Sequence, residues 1–192
     1  RAADEDLALI ERFKQGDQAA FDSLMRKYQA TVHNLIFRFT GDASAVDDLA
    51  QEVFLRLYRS VHRFEAQSKF FTYLYRVTLN VCLKERDRSK KRRAVSLDAP
   101  RDDQDDKPAR EIPDPAGSAE DAFSQRETAR IIKAAVMSLP EEQRVAVVLH
   151  KYENMAYEEI AATLQLSLPA VKSRLHRAKL ALKELLQAHI KT

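Results

Sequence analysis

YEEIAATLQLSLPAVKSRLHRAKLALK, residues Tyr157 to Lys183, reads as two short amphipathic helices joined by a tight turn. At roughly 100° per residue, Val171, Leu175, Ala178, Leu182 and Leu185 fall on one side of the second helix. Lys172, His176, Lys179 and Lys183 line up beside them. Ser167 is placed to cap this helix, and Pro169 falls in its first turn, where a missing N–H is tolerated. The preceding helix carries Tyr157, Ile160, Ala161 and Leu164, with Gln165-Leu166-Ser167 as the turn. Small Ala161 and Ala162 allow close helix approach, but the turn lacks a glycine and Ala156 offers no capping hydroxyl. A helix-turn-helix with a basic outer face points to duplex DNA, the second helix entering the major groove by its first turns. A solvated bundle helix rich in Lys and Arg gives the same local pattern, so the rest of the chain has to decide.

Composition bounds the choice. The 192 residues are enough for one medium domain or two small ones, and 45% hydrophobic content supports packed cores. Three glycines and six prolines favour helix throughout, so the fold class is predicted to be all-α. With 32 Lys plus Arg against 29 Asp plus Glu the net charge is +3, so binding to nucleic acid requires segregated charge. Cys82 is the sole cysteine, which excludes an internal disulfide and any multi-cysteine zinc site and fits a reducing compartment. No histidine pair has ligand spacing, and neither a metal nor a cofactor is expected. No apolar run approaches the ~18 residues of a membrane span, and Asp4, Glu5 and Asp6 near the start do not suit a secretory leader. The expected location is cytoplasmic, without membrane insertion.

One break divides the chain. Over residues 94–118 apolar periodicity stops, and Pro100, Pro108, Pro113, Pro115 and Gly117 surround Asp102, Asp103, Asp105 and Asp106. This composition predicts a flexible acidic linker between two small helical domains, residues 5–93 and 119–190. In the first, Leu7, Ile10 and Phe13 lead to a break at Gly16-Asp17. Ala20, Phe21, Leu24 and Tyr28 then open a run that Val32, Leu35, Ile36 and Phe39 continue to Gly41. Asp17 is the expected cap of that second helix. A third helix starts near Ser44 and carries Val46, Leu49, Val53, Phe54, Leu57, Tyr58 and Val61, with Asp47, Asp48, Gln51, Glu52, Arg56 and Arg59 opposite.

A fourth helix is predicted near Lys69–Arg88, with Phe70, Leu74, Val77 and Val81 as its core stripe. Tyr73, Arg76 and Asn80 share an adjacent face, and an aromatic, a guanidinium and an amide together suit an unstacked base and its backbone. The competing reading makes Tyr73 and Tyr75 half-buried packing residues and pairs Arg76 with a carboxylate. Lys84 to Arg93 then holds seven basic residues against two acidic, a run whose binding to a polyanion would fall steeply with salt.

Taken together, these strings resemble the extracytoplasmic-function, or group IV, bacterial sigma factors of the sigma-70 family, over about Leu7 to Leu186. In the first domain the resemblance rests on Gly16-Asp17-Gln18-Ala19-Ala20-Phe21, on Asp47 to Phe54 and on Phe70 to Arg76 with Asn80. In the second it rests on Leu139-Pro140-Glu141-Glu142-Gln143-Arg144, Tyr157 to Ala161 and Val171 to Ala178. Their order and spacing, more than any one string, are specific.

The resemblance implies a sigma region 2-like bundle and a sigma region 4-like helix-turn-helix domain. It implies a non-catalytic protein that binds core RNA polymerase, through its clamp helices and flap, and directs initiation at promoter DNA. An anti-sigma factor is the expected antagonist, with helices around Val145, Val148 and Leu149 as an apolar target, unless these residues are buried in the protein's own core. Asp47, Asp48, Gln51, Glu52 and Leu55 correspond to the polymerase-binding positions. Phe64, Ser68, Lys69, Phe70, Phe71, Tyr73, Arg76, Asn80 and Lys84 correspond to the minus-10 site, where relatives often carry tryptophan at Tyr73. Lys172, Ser173, Arg174, His176, Arg177 and Lys179 correspond to the minus-35 site, Arg174 as a phosphate contact. Lysine at 172 reads guanine less rigidly than an arginine would. A stand-alone helix-turn-helix regulator shares the second domain but has no use for the strings Asp47–Phe54 and Phe70–Asn80. A nucleic-acid enzyme finds no support in any carboxylate cluster or phosphate loop. In such relatives the linker runs through the polymerase cleft, where its acidic residues can mimic nucleic acid. Neutralising Asp102, Asp103, Asp105 and Asp106 together is therefore expected to alter initiation in a reconstituted transcription assay, and unchanged initiation and core binding would remove the idea.

Overall fold

Local signals in the first half of the chain become helix boundaries in the computed structural model, which describes residues 2–65, 69–95 and 119–190. All regular elements among the described residues are helical, and the chain divides into two compact units, Arg1–Asp105 and Asp106–Thr192. In the first unit α1 spans Ala2–Lys14, α2 Gln18–Thr40, α3 Val46–Ser60 and α4 Phe70–Val95, with a 3-10 turn at Val61–Arg63. Asp17 caps α2 by accepting a hydrogen bond from the Ala20 N–H, and Gly41 ends it in the left-handed region (φ 72°) with its N–H bonded to the Phe37 carbonyl. The Asp17 carboxyl lies below the usual range, chiefly because the Arg12 side chain donates to it. Before α3, Asp42 accepts from the Ser44 N–H and hydroxyl, so the helix starts two residues later than Ser44.

Burial follows the apolar stripes. Ile10, Phe13, Leu24, Val32, Leu35, Ile36, Val53, Leu57 and Leu74 lose nearly all contact with solvent. Phe13 is the hub, its ring 4.9 Å from Phe21, 5.3 Å from Tyr58 and 4.7 Å from His62. One carboxylate is buried with them. Asp6 on α1 accepts from the Tyr28 hydroxyl at 2.5 Å and from the Lys27 ammonium at 2.7 Å, both on α2, and Lys27 also reaches Glu5. An unpaired carboxylate here would cost several kcal/mol, so the two donors decide that α1 can pack on α2 at all. Burial, and then the bond to Asp6, pushes the Tyr28 phenol upward, and the same carboxylate raises Lys27.

Two predicted boundaries shift. The fourth helix does not stop near Arg88 but continues to Val95, carrying the whole basic run and taking Ala94 and Val95 from the expected linker. The remainder of the expected linker, residues 96–118 with their prolines and aspartates, lies outside the described residues. The core face of α4 is also broader than the predicted stripe. Tyr75, Thr78, Leu79 and Cys82 are buried, whereas Val77 is only partly so. Burial pushes the Cys82 thiol up to about 12.

In the second unit α5 spans Ala119–Ser138, α6 Glu141–Val147, α7 Tyr157–Leu164 and α8 Leu168–Ile190, with a π-helical turn at Val148–Tyr152. Val145 to Leu149, Met155, Ile160, Val171 and Ala178 form its core. Leu185, predicted on the core side of α8, is 36% exposed. Ser167 caps α8 as expected, accepting from the Ala170 N–H at 3.4 Å. At Ala156 the missing hydroxyl is half replaced: Glu159 turns back and accepts the Ala156 N–H at 3.1 Å. The turn without glycine carries its cost at Gln165, which sits in the left-handed region (φ 54°, ψ 46°).

Two stability measurements check these assignments. Tyr28→Phe keeps the ring but removes a donor from a buried carboxylate, and is expected to lower the urea-unfolding free energy by about 1.5–3 kcal/mol. Gln165→Gly relieves the left-handed strain and is expected to raise thermal stability by about 0.5–1 kcal/mol, whereas Gln165→Val lowers it.

Candidate nucleic-acid and protein interfaces

The two buried rows of α2 and α3 leave an open groove of about 440 Å³ between the helices. Phe21, Ala50 and Phe54 form its apolar floor, and His33, Asp47 and Gln51 its polar edge. Leu55 and Tyr58, 45% and 42% exposed, stand along the rim. His33 Nδ1 lies 3.8 Å from the Asp47 carboxylate. Of the predicted protein-binding residues, Asp47, Asp48, Gln51 and Leu55 are exposed on this side of α3. Glu52 is partly covered and accepts from the Arg56 guanidinium at 2.6 Å. Spacing alone groups Tyr58 with the core. The structure instead leaves its ring edge-on to Phe21 and its hydroxyl donating to Gln18 at 3.1 Å, half in solvent. Phe54, Tyr58 and His33 thus join a surface that the charged string alone did not reveal. An apolar floor with acidic and amide groups at its edge suits a protein helix better than a polyanion.

The second candidate surface is the start of α4. Phe64 and Phe70 are 5% and 2% exposed, with their rings edge to face at 5.8 Å. Neither ring is open to a ligand, because both are buried in the core of the first unit. Tyr73 lies on Phe64 at 5.3 Å and donates its hydroxyl to Ser60, while the Arg76 guanidinium sits 5.7 Å from the Tyr73 ring centre. The competing reading of a half-buried packing Tyr73 therefore describes its ring, but Arg76 stacks on that ring. Tyr75 is fully buried, with Phe71 packed 4.2 Å away. Lys69, Asn80 and Lys84 are exposed, and Ser68 lies outside the described residues. Lys14 of α1 donates to the Phe64 carbonyl at 2.9 Å and so fixes where the loop leaves the 3-10 turn. Sequence gave no hint of this link across 50 positions. Farther along α4, Glu85 pairs with Arg92 and lies 4.0 Å from Arg88, tempering part of the basic run.

The third surface is α8. Lys172, Ser173, His176, Arg177 and Lys179 are exposed, and Arg177 leans back to the Ser173 hydroxyl at 3.2 Å. Arg174 differs: it is mostly covered and pairs with Glu142 of α6 at 3.0 Å. Val145, Val148 and Leu149 are at most 5% exposed, which removes them as an apolar target for a protein antagonist in this conformation. Beside them, His150 Nδ1 lies 3.2 Å from the Met155 carbonyl and its ring meets the edge of Tyr157. Among the described residues, no helix is long and apolar enough to cross a membrane.

Comparison with known proteins covers both units. The family model described as Sigma-70 region 2 matches residues 24–93, and that described as Sigma-70, region 4 matches residues 129–182. The chain is 35% identical over 188 residues to the RNA polymerase sigma-H factor of Pseudomonas aeruginosa, covering 96% of this chain and 95% of that protein. It is 32% identical over 186 residues to the ECF RNA polymerase sigma-E factor of Escherichia coli K12, covering 97% and 96%. Among solved structures, CnrH in complex with the cytosolic domain of CnrY superposes with a TM-score of 0.68 at 26% identity, over 96% of this chain and 98% of that one.

Proposed function

The chain belongs to the sigma-70 family of RNA polymerase sigma factors, in its extracytoplasmic-function branch, and on that premise we propose a division of labour among its three surfaces. The groove between α2 and α3 takes a clamp helix of core RNA polymerase: Leu55, Tyr58 and Phe54 supply apolar contact, and Asp47, Asp48, Gln51 and Glu52 meet its basic and polar groups. The exposed face of α8 lies in the major groove of the minus-35 duplex, Lys172, Ser173, His176 and Arg177 toward base edges and Lys179 toward phosphate. The start of α4 receives an extruded base of the minus-10 element. There Tyr73 and Arg76 offer a stacked platform, Phe71, Asn80, Lys84 and Lys69 line its approach, and Phe64 and Phe70 hold up the floor without touching DNA. Extrusion costs a few kcal/mol of stacking, which such contacts can offset.

The observation that carries this reading is the segregation of chemistry in a nearly neutral chain: an apolar and acidic groove on one unit, a cationic helix on the other. The protein supplies no bond-making step. It positions the polymerase at a promoter in the cytoplasm and helps nucleate melting, and bond formation belongs to the polymerase. A protein antagonist of the anti-sigma kind would silence it by covering the α2–α3 groove, which is an exposed apolar surface in the free chain; CnrH, of the same fold, has been captured with a protein partner.

Reconstituted transcription with core polymerase and a promoter library is expected to yield start sites that depend on this chain and share two spaced upstream elements. DNA binding that needs no polymerase, with no new start sites, would favour a stand-alone helix-turn-helix regulator. Lys172→Ala and Arg177→Ala are expected to weaken minus-35 duplex binding by about 1–3 kcal/mol each while sparing core affinity. Gln51→Ala with Glu52→Ala does the reverse, and equal losses in both assays would contradict the division.

A further inference from the structure

Within the basic stretch of α8, Arg174 stands apart from its neighbours. At 3.6 residues per turn it lies about 40° from Ala178 and about 60° from Val171, but about 160° from Lys172 and from His176. Ala178 and Val171 are completely buried, whereas Lys172 and His176 are exposed, so Arg174 belongs to the inner half of the helix. Its side chain is 21% exposed and its Nη2 lies 3.0 Å from the Glu142 Oε2. Glu142 is in the first turn of α6, where the unpaired N–H groups of a helix start favour a carboxylate. The pair therefore ties α8 to its neighbour from the side opposite Lys172, His176 and Lys179, while the exposed Arg177 lies only about 60° from Arg174.

We propose that Arg174 is a positioning residue for DNA recognition: it fixes the seat of α8 on α6 through Glu142 and makes no phosphate contact itself. To reach a phosphate, Arg174 would have to leave the inner face and abandon Glu142, whose carboxylate, 70% exposed, would then stand uncompensated beside a polyanion. The cations that do face outward, Lys172, His176 and Lys179, then approach DNA at an angle set by this pair. The inference rests on α8 being the DNA-facing helix.

The test uses the full chain assembled with core RNA polymerase and a labelled duplex carrying the upstream element that the wild-type assembly enriches from a randomised library. Affinity is followed over a salt series for Arg174→Ala, Glu142→Ala, the charge exchange Glu142→Arg with Arg174→Glu, and Lys172→Ala as reference. A positioning pair predicts that each alanine variant weakens binding by about threefold to tenfold with the wild-type salt slope, and that the exchange recovers most of the loss. A phosphate contact predicts a slope smaller by about 0.9 for Arg174→Ala, and unchanged or tighter binding for Glu142→Ala, since a repulsive charge is removed. That outcome overturns the proposal, as does an exchanged chain that melts like wild type yet binds no better than Arg174→Ala. Lys172→Ala separates the two levels: if it leaves binding unaltered, the DNA-facing reading of α8 fails and takes the positioning role with it, whereas weakened binding leaves the Arg174 outcomes to decide alone.

Discussion

Everything in the first unit depends on keeping Phe13 out of water. Its ring touches Phe21 of α2, Tyr58 of α3 and His62 of the 3-10 turn, so one side chain of α1 gathers three later elements. A buried phenylalanine contributes on the order of 2–3 kcal/mol by area alone, and the aromatic contacts add to this. The polar lock at Asp6 then determines how α1 can lie, because only one register brings the carboxylate to both Tyr28 and Lys27. With α1 fixed, Lys14 falls beside the Phe64 carbonyl and the loop before α4 starts from a defined point. The same hub holds Tyr58 at the edge of the α2–α3 groove. Two candidate surfaces are thus built on the back of one packing event.

Charge is organised by a different logic. The chain is close to neutral, yet cations collect on the outer side of α8 and along the end of α4, while α3 shows carboxylates. Such separation lets a single small protein meet a polyanion and a protein partner without the two surfaces competing. The internal pairs refine it. Glu85 with Arg92, and Glu142 with Arg174, withdraw selected arginines from the outward field and leave the remainder to face a ligand.

What could be read from the sequence was what local chemistry decides. Asp17, Gly41 and Ser167 are caps whose partners lie within four residues, so their roles follow from spacing alone. The helix-turn-helix was legible for the same reason, down to the cost of lacking a glycine at Gln165. Long-range facts were not. Phe64 and Phe70 look like ligands for a base until the fold closes over them, and Tyr58 looks like core until the groove leaves it half in solvent. Arg174 looks like its basic neighbours because a string of letters does not display its angle to Glu142, 32 positions earlier. The extension of α4 past Arg88 was hidden because charged residues have good helix propensity but no apolar period to mark an end.

The single thiol has a practical meaning of its own. Cys82 is 5% exposed and burial pushes its pKa up to about 12, so at neutral pH the thiol stays protonated and sheltered by the packing of α4. Oxidants and alkylating probes that meet the folded chain therefore find almost nothing to attack. Within this chain, a cysteine placed on an exposed helix face will be the one that takes a dye, a spin label or a crosslinker.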